Sequence, residues 1–146
     1  MASDRTGVTD EPVVIDTMIF TYALLGVPEF CEESLAVIDA AGEILVPDFF
    51  RTEFVNVVWQ WVQTKGLSLE AGVEVLRDTE ALVTHVTSSA VLWERALALS
   101  VGAHHPAYDT LFVALAEWAD AKLVTYDAGL QRAFPDVAIH PSVFLK

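Results

Sequence analysis

Four carboxylates stand where an α/β chain could put them to common use. Asp16 ends a run of β-branched residues, Pro12-Val-Val-Ile-Asp16, and Asp127 stands two residues after a second apolar run, Lys122-Leu-Val-Thr125. Glu53 falls in the first turns of the helical stretch after Pro47-Asp48, and Asp109 in the first turn of the stretch that Pro106 opens. Each has an ordinary structural use. Asp16 and Asp127 suit helix N-caps, and Glu53 and Asp109 suit the positive end of a helix dipole. Their joint placement says more. In open parallel sheets, ligands bind at the carboxyl ends of the strands. Four negative charges converging there repel one another unless a cation neutralises them. Carboxylate oxygens without His or Cys partners favour a hard ion, Mg²⁺ or Mn²⁺.

The elements that must position these acids alternate between strand and helix. Strands are expected over 12–16, 43–46, 81–86, 122–125 and 137–139. Helices are expected over 17–25, 32–41, 49–64, 69–78, 88–100, 106–119 and 127–132. Gly26, Gly42, Gly66 and Gly102 supply stops, and Asp48 and Ser68 supply starts. Interleaved elements with short gaps predict a single α/β domain over residues 13–146, with a mostly parallel central β-sheet flanked by helices. Residues 1–12, MASDRTGVTDEP, read as a flexible polar tail with no secretory character.

Composition narrows the function further. The 146 residues are 53% hydrophobic, which supplies a core and excludes a largely disordered chain. With 21 acids against 8 bases the net charge is −13, which argues against a general nucleic-acid or anionic-membrane binder. One cysteine, Cys31, rules out an internal disulfide and allows a reducing compartment. No apolar stretch approaches the roughly 18–20 residues of a membrane span, so a cytoplasmic protein is expected.

The blocks around the acids carry a resemblance. Val14-Ile-Asp16-Thr-Met-Ile-Phe20, Pro47-Asp-Phe-Phe-Arg-Thr-Glu53-Phe-Val-Asn56, His105-Pro-Ala-Tyr-Asp109-Thr-Leu-Phe-Val-Ala-Leu-Ala-Glu117 and Leu123-Val-Thr-Tyr-Asp127-Ala-Gly-Leu130 resemble the four signature blocks of the PIN domain. They are most similar to those of the VapC-type toxins of bacterial toxin–antitoxin pairs. No block is specific alone, but all four occur in order. The resemblance implies a metal-dependent endoribonuclease that leaves a 5′-phosphate and a 3′-hydroxyl. It makes Asp16, Glu53, Asp109 and Asp127 the catalytic, metal-holding cluster. Asp16, Asp109 and Asp127 then hold metal directly or through water, and Glu53 is a ligand or a water-orienting base. Thr125 fits as a hydroxyl that orients a carboxylate or a bound water. The family also implies a homodimer and a small cognate antitoxin as partner, besides the RNA substrate.

Other signals are weaker. His104 and His105 are adjacent and lack the i, i+4 spacing that puts two ligands on one helical face, so they are read as cap or surface residues. His85 and His140 have no ligating neighbour in the sequence. No phosphate-binding GxxxxGK[ST] or GxGxxG motif occurs, and the acidic pairs of aspartyl phosphatases and phospho-receivers are missing after the first strand. The stretch Phe49 to Thr64 is apolar on more than one stripe, through Phe54, Val55, Val57, Val58, Trp59, Trp61 and Val62. It is either buried on several sides or an interface with another chain. Of the scattered bases, Arg51 is the first candidate for an RNA phosphate contact. Two further readings stay open: a PIN-like protein-binding module with little or no nuclease activity, and a stand-alone RNA-processing nuclease.

Overall fold

The computed structural model describes residues 11–146. The first ten residues of the expected tail lie outside the described residues, and Pro12 already belongs to the first strand. Strands β1 (Pro12–Ile15), β2 (Glu43–Pro47), β3 (His85–Thr87), β4 (Lys122–Val124) and β5 (Ala138–Ile139) form one sheet in the order β3-β2-β1-β4-β5. All four neighbouring pairs are parallel, with Val14 opposite Leu45 on one side and Leu123 on the other. Val14, Ile15, Val46, Leu123 and Val124 are each 0% exposed, as continuous apolar strands covered on both faces should be.

Eight helices complete the described chain: α1 (Thr17–Leu24), α2 (Cys31–Ala40), α3 (Phe49–Thr64), α4 (Leu69–Leu82), α5 (Ser89–Ala103), α6 (Ala107–Trp118), α7 (Ala128–Ala133) and α8 (Pro141–Phe144). Helix α6 packs against β1, β2 and β4 and is buried from Phe112 to Ala116. The chain leaves β1 for β2 on one side and reaches β4 on the other, so strand order reverses between β1 and β4. That reversal opens the crevice in which open α/β sheets bind ligands.

Two expectations are corrected. Helix α4 continues to Leu82, so Ala81 and Leu82 are not strand, and β3 starts only at His85. The inward positions Gly72, Leu76 and Thr79 keep helical spacing, and the Val83 N–H still closes on the Thr79 carbonyl. Asp48 occupies the N-cap position of α3 but does not cap it. Its carboxylate instead accepts from the Ser89 N–H (3.1 Å) and from the Ser89 hydroxyl, tying β2 to the start of α5. Those bonds hold the Asp48 carboxyl below its usual range.

Helix α3 is buried along one stripe, Phe50, Phe54 and Val58, at i, i+4 and i+8. Phe50 and Phe54 meet Phe20 of α1 at ring separations of 4.9 and 6.5 Å. The neighbouring stripe, Val55 (47%) and Trp59 (55%), is open to solvent, so the helix is not buried on several sides. Among the described residues, no helix is long and apolar enough to cross a membrane.

Candidate metal centre

The four acids come from four separate elements and line one cavity of about 300 Å³, together with Thr17, Met18, Tyr22, Val57 and Tyr126. Asp16 lies immediately after β1 with extended backbone (φ −67°, ψ 149°), in the N-cap position of α1. Its side chain makes no cap. It accepts instead a 2.6 Å hydrogen bond from the hydroxyl of Thr125, which is 0% exposed. The same hydroxyl accepts the Asp127 N–H at 3.0 Å, so one threonine joins the two acids at the reversal of strand order. Gln131 Nε2 donates to the Thr125 carbonyl (2.8 Å) and fixes that corner from α7.

Burial pushes the Asp16 carboxyl up to about 6. The Thr125 hydrogen bond opposes this shift, and the negative charges of Glu53 and Asp109 add to it. Glu53, in the second turn of α3, accepts a short hydrogen bond from the buried Thr17 hydroxyl. Its carboxyl is also raised, by burial first and by Asp109 as well. The charges of Glu53 and Asp109 thus reach Asp16, and that of Asp109 reaches Glu53, in keeping with the cavity they share.

Asp127 caps α7 through Oδ1, which accepts the Leu130 N–H at 3.0 Å. Asp109, in the first turn of α6, meets His105 Nε2 at 2.9 Å. The His105 side chain is only 17% exposed, so it is no surface residue. The cap role falls to His104, which ends α5 in the left-handed region (φ 53°). A ring nitrogen or carboxylate oxygen from each of His105, Asp109 and Asp127 lies within 4.8 Å of the other two. The signal for His105 was present in the sequence: it stands at i, i+4 to Asp109, a better pair than two adjacent histidines.

Arg51 is placed elsewhere. It pairs with Glu80 through two bonds of 3.0 and 2.6 Å and lines a separate cavity of about 400 Å³ between α3 and α4. Residues two apart on a helix point in nearly opposite directions, so Arg51 and Glu53 cannot share a face. Among the described residues, no Lys or Arg forms an ion pair with any of the four acids.

The donor set fits a divalent cation. Four carboxylates on one cavity, two of them raised by burial and none paired with Lys or Arg among the described residues, are an arrangement that a hard cation would stabilise. The cavity lies at the carboxyl ends of β1 and β4, where strand order reverses.

The chain belongs to the PIN-domain family, whose model it matches over residues 13–134. Solved structures of similar fold sharpen the comparison. PAE2754 from Pyrobaculum aerophilum has TM-score 0.65 at 17% identity, over 96% of this chain and 90% of its own. VapBC2 from Rickettsia felis, bound to a DNA fragment from its promoter, has TM-score 0.63 at 14% identity, over 88% and 98%. FitAcB from Neisseria gonorrhoeae has TM-score 0.65 at 15% identity, over 89% and 98%. No curated protein sequence matches the chain.

Proposed function

We propose that this protein is a metal-dependent endoribonuclease, the toxin of a VapBC-type pair. The observation that carries the reading is the convergence of Asp16, Glu53, Asp109 and Asp127 on one cavity, with the Asp16 carboxyl raised to about 6 by burial and by its acidic neighbours. A VapBC protein among the structures of similar fold supports the toxin assignment.

In this reading Asp16, Asp109 and Asp127 hold Mg²⁺ or Mn²⁺. Bound there, the cation lowers the pKa of a coordinated water and offsets negative charge on the phosphodiester. Thr125 keeps one Asp16 oxygen fixed by donating to it. Thr17 engages Glu53 Oε1, which leaves Oε2 to orient the attacking water and take its proton. No protein nucleophile is needed, and the water-derived oxygen stays on the 5′-phosphate. The partner would be a small antitoxin. The apolar stripe of Val55 and Trp59 and the cavity between α3 and α4 give a second chain something to bury.

A protein-binding module without nuclease activity is the second reading, and one observation favours it. Arg51 and Arg95 are committed to Glu80 and Glu117, and Lys122 to the Asp136 carbonyl, so few cations are left to meet RNA phosphates. Purified, partner-free protein assayed on mixed structured RNA with Mg²⁺, Mn²⁺ or EDTA, beside Asp16→Asn, separates the two. Metal-dependent cutting lost in the variant supports the nuclease. A folded protein that cuts nothing while binding the neighbouring gene product supports the module. Cutting with no such partner supports a stand-alone RNA-processing enzyme.

A further inference from the structure

The proposed site is built of oxygen donors, yet its tightest grouping includes a nitrogen. We propose that His105 is a direct ligand of the divalent cation, together with Asp109 and Asp127, making a mixed nitrogen–oxygen centre that favours Mn²⁺ over Mg²⁺. This inference rests on the metal-dependent reading above and names a ligand which that reading lacks.

The backbone delivers the ring to the Asp109–Asp127 side of the acid cluster. His104 turns the chain through the left-handed region at the end of α5, and the His105 N–H closes on the Ser100 carbonyl at 3.1 Å. Pro106 then opens α6 (φ −58°), and a residue before proline is held out of the helical region. His105 therefore stands just ahead of the helix, with its ring turned back onto Asp109, one turn further on. Phe134 packs edge-on against the ring, with centroids 6.4 Å apart and planes at 75°.

Gly129 provides the space. A Cβ there would lie 3.0 Å from Asp127 Oδ1, a tight approach, and in ordinary contact with His105 Cε1 at 3.6 Å. The three donors thus sit in a pocket cleared by a glycine, with ligand atoms within 4.8 Å of one another. That separation suits donors around one ion, whose bonds to oxygen or nitrogen run about 2.0–2.3 Å. Nε2 faces Asp109 Oδ2 at 2.9 Å, so the ring nitrogen and the carboxylate oxygen are already directed at the same point. Imidazole suits transition metals, whereas Mg²⁺ prefers oxygen and water, so one ring shifts selectivity toward Mn²⁺.

The test uses the full chain and Mn²⁺ alone as probe, read by pulsed electron paramagnetic resonance. The expected wild-type spectrum shows ¹⁴N coupling of a directly bound imidazole. His105→Gln removes that coupling and weakens Mn²⁺ binding about 10- to 100-fold, with a smaller loss for Mg²⁺. His104→Gln keeps the coupling. A ring that only orients Asp109 would also alter affinity when replaced, but it would give no directly bound nitrogen. Mn²⁺ held in a manner sensitive to Asp109→Asn, yet without ¹⁴N coupling in wild type, overturns the His105 assignment and leaves the metal reading standing. No Mn²⁺ binding by folded wild-type protein overturns both.

Discussion

The two walls of the acid cavity are built on different terms. On one, Asp16 and Glu53 are held by threonine hydroxyls, and burial lifts both carboxyls above their ordinary range. On the other, Asp127 is exposed and caps a helix, and Asp109 is met by His105. On the buried wall, ionisation is costly first because of burial and then because of neighbouring negative charge, a cost that a bound cation would offset. The open wall supplies ligands that need little desolvation. On the proposed metal-dependent reading, a cation at such a site would offset both the buried and the exposed carboxylates.

Replacing the centre of the buried wall gives the largest effect. Asp16→Asn is expected to reduce metal-dependent RNA cleavage by at least about 100-fold. It should also stabilise the metal-free protein at pH 7, by on the order of 2 kcal/mol, because a buried charge is gone. Thermal melts in EDTA check the second half, and a destabilised variant would show that Asp16 serves the fold more than a metal.

Thr125→Val comes next. It keeps the shape of a fully buried residue while removing the donor to Asp16 and the acceptor of the Asp127 N–H. Metal affinity should fall about 10-fold and stability by about 1–2 kcal/mol, measured by calorimetry and denaturant titration. Equal metal affinity in variant and wild type would dissolve the link between the walls.

The same contrast predicts a pH dependence. The Asp16 carboxyl moves from 3.8 to about 6 on folding, so between those values the native state holds a proton that the unfolded chain has lost. Stability of the metal-free protein therefore falls as pH rises from about 4 to about 6 and is flat above; Glu53 acts in the same direction. The slope should shrink in Asp16→Asn to the part that Glu53 contributes, and saturating metal should reverse it, since ligands bind as carboxylates.

Smaller effects probe the open wall and the ground outside it. Gly129→Ala should weaken metal binding several-fold by crowding Asp127, yet leave stability unchanged or raise it by up to about 1 kcal/mol through helix propensity. Arg51→Gln breaks only an exposed ion pair, so cleavage should be unchanged and stability should shift by less than about 1 kcal/mol. A large loss of RNA cleavage in that variant would place the substrate path across the α3–α4 cavity instead.

Much of this was legible in the sequence because the site lies at strand ends. A β-branched run stopping at Asp16, and another stopping just before Asp127, place both acids at one edge of a parallel sheet whatever the details of packing. Helix α3 was legible to the residue, being bounded by Asp48 and Lys65-Gly66. What escaped depended on direction rather than order. Arg51 looks adjacent to Glu53 in sequence but leaves the helix on the other side. His105 looked like half of a histidine pair, although its partner is Asp109. The end of α4 escaped because Ala81 to Val86 is apolar enough for either period, and only the contacts of Thr79 and Val83 decide it. Helix α8, four residues long behind His140, is too short for periodicity to register.

The Thr125–Asp16 hydrogen bond spans 109 residues, and β1 is central in the sheet although it is the first element made. During synthesis, β1 can pair with β2 early but must wait for β4, near the end of the chain, to cover its other edge. Asp16 and Glu53 emerge from the ribosome long before Asp109 and Asp127. A nascent chain therefore carries only half a cavity, and the four-acid arrangement comes together only when the last quarter of the polypeptide docks. The order of translation thus makes the completed cavity a late product of folding.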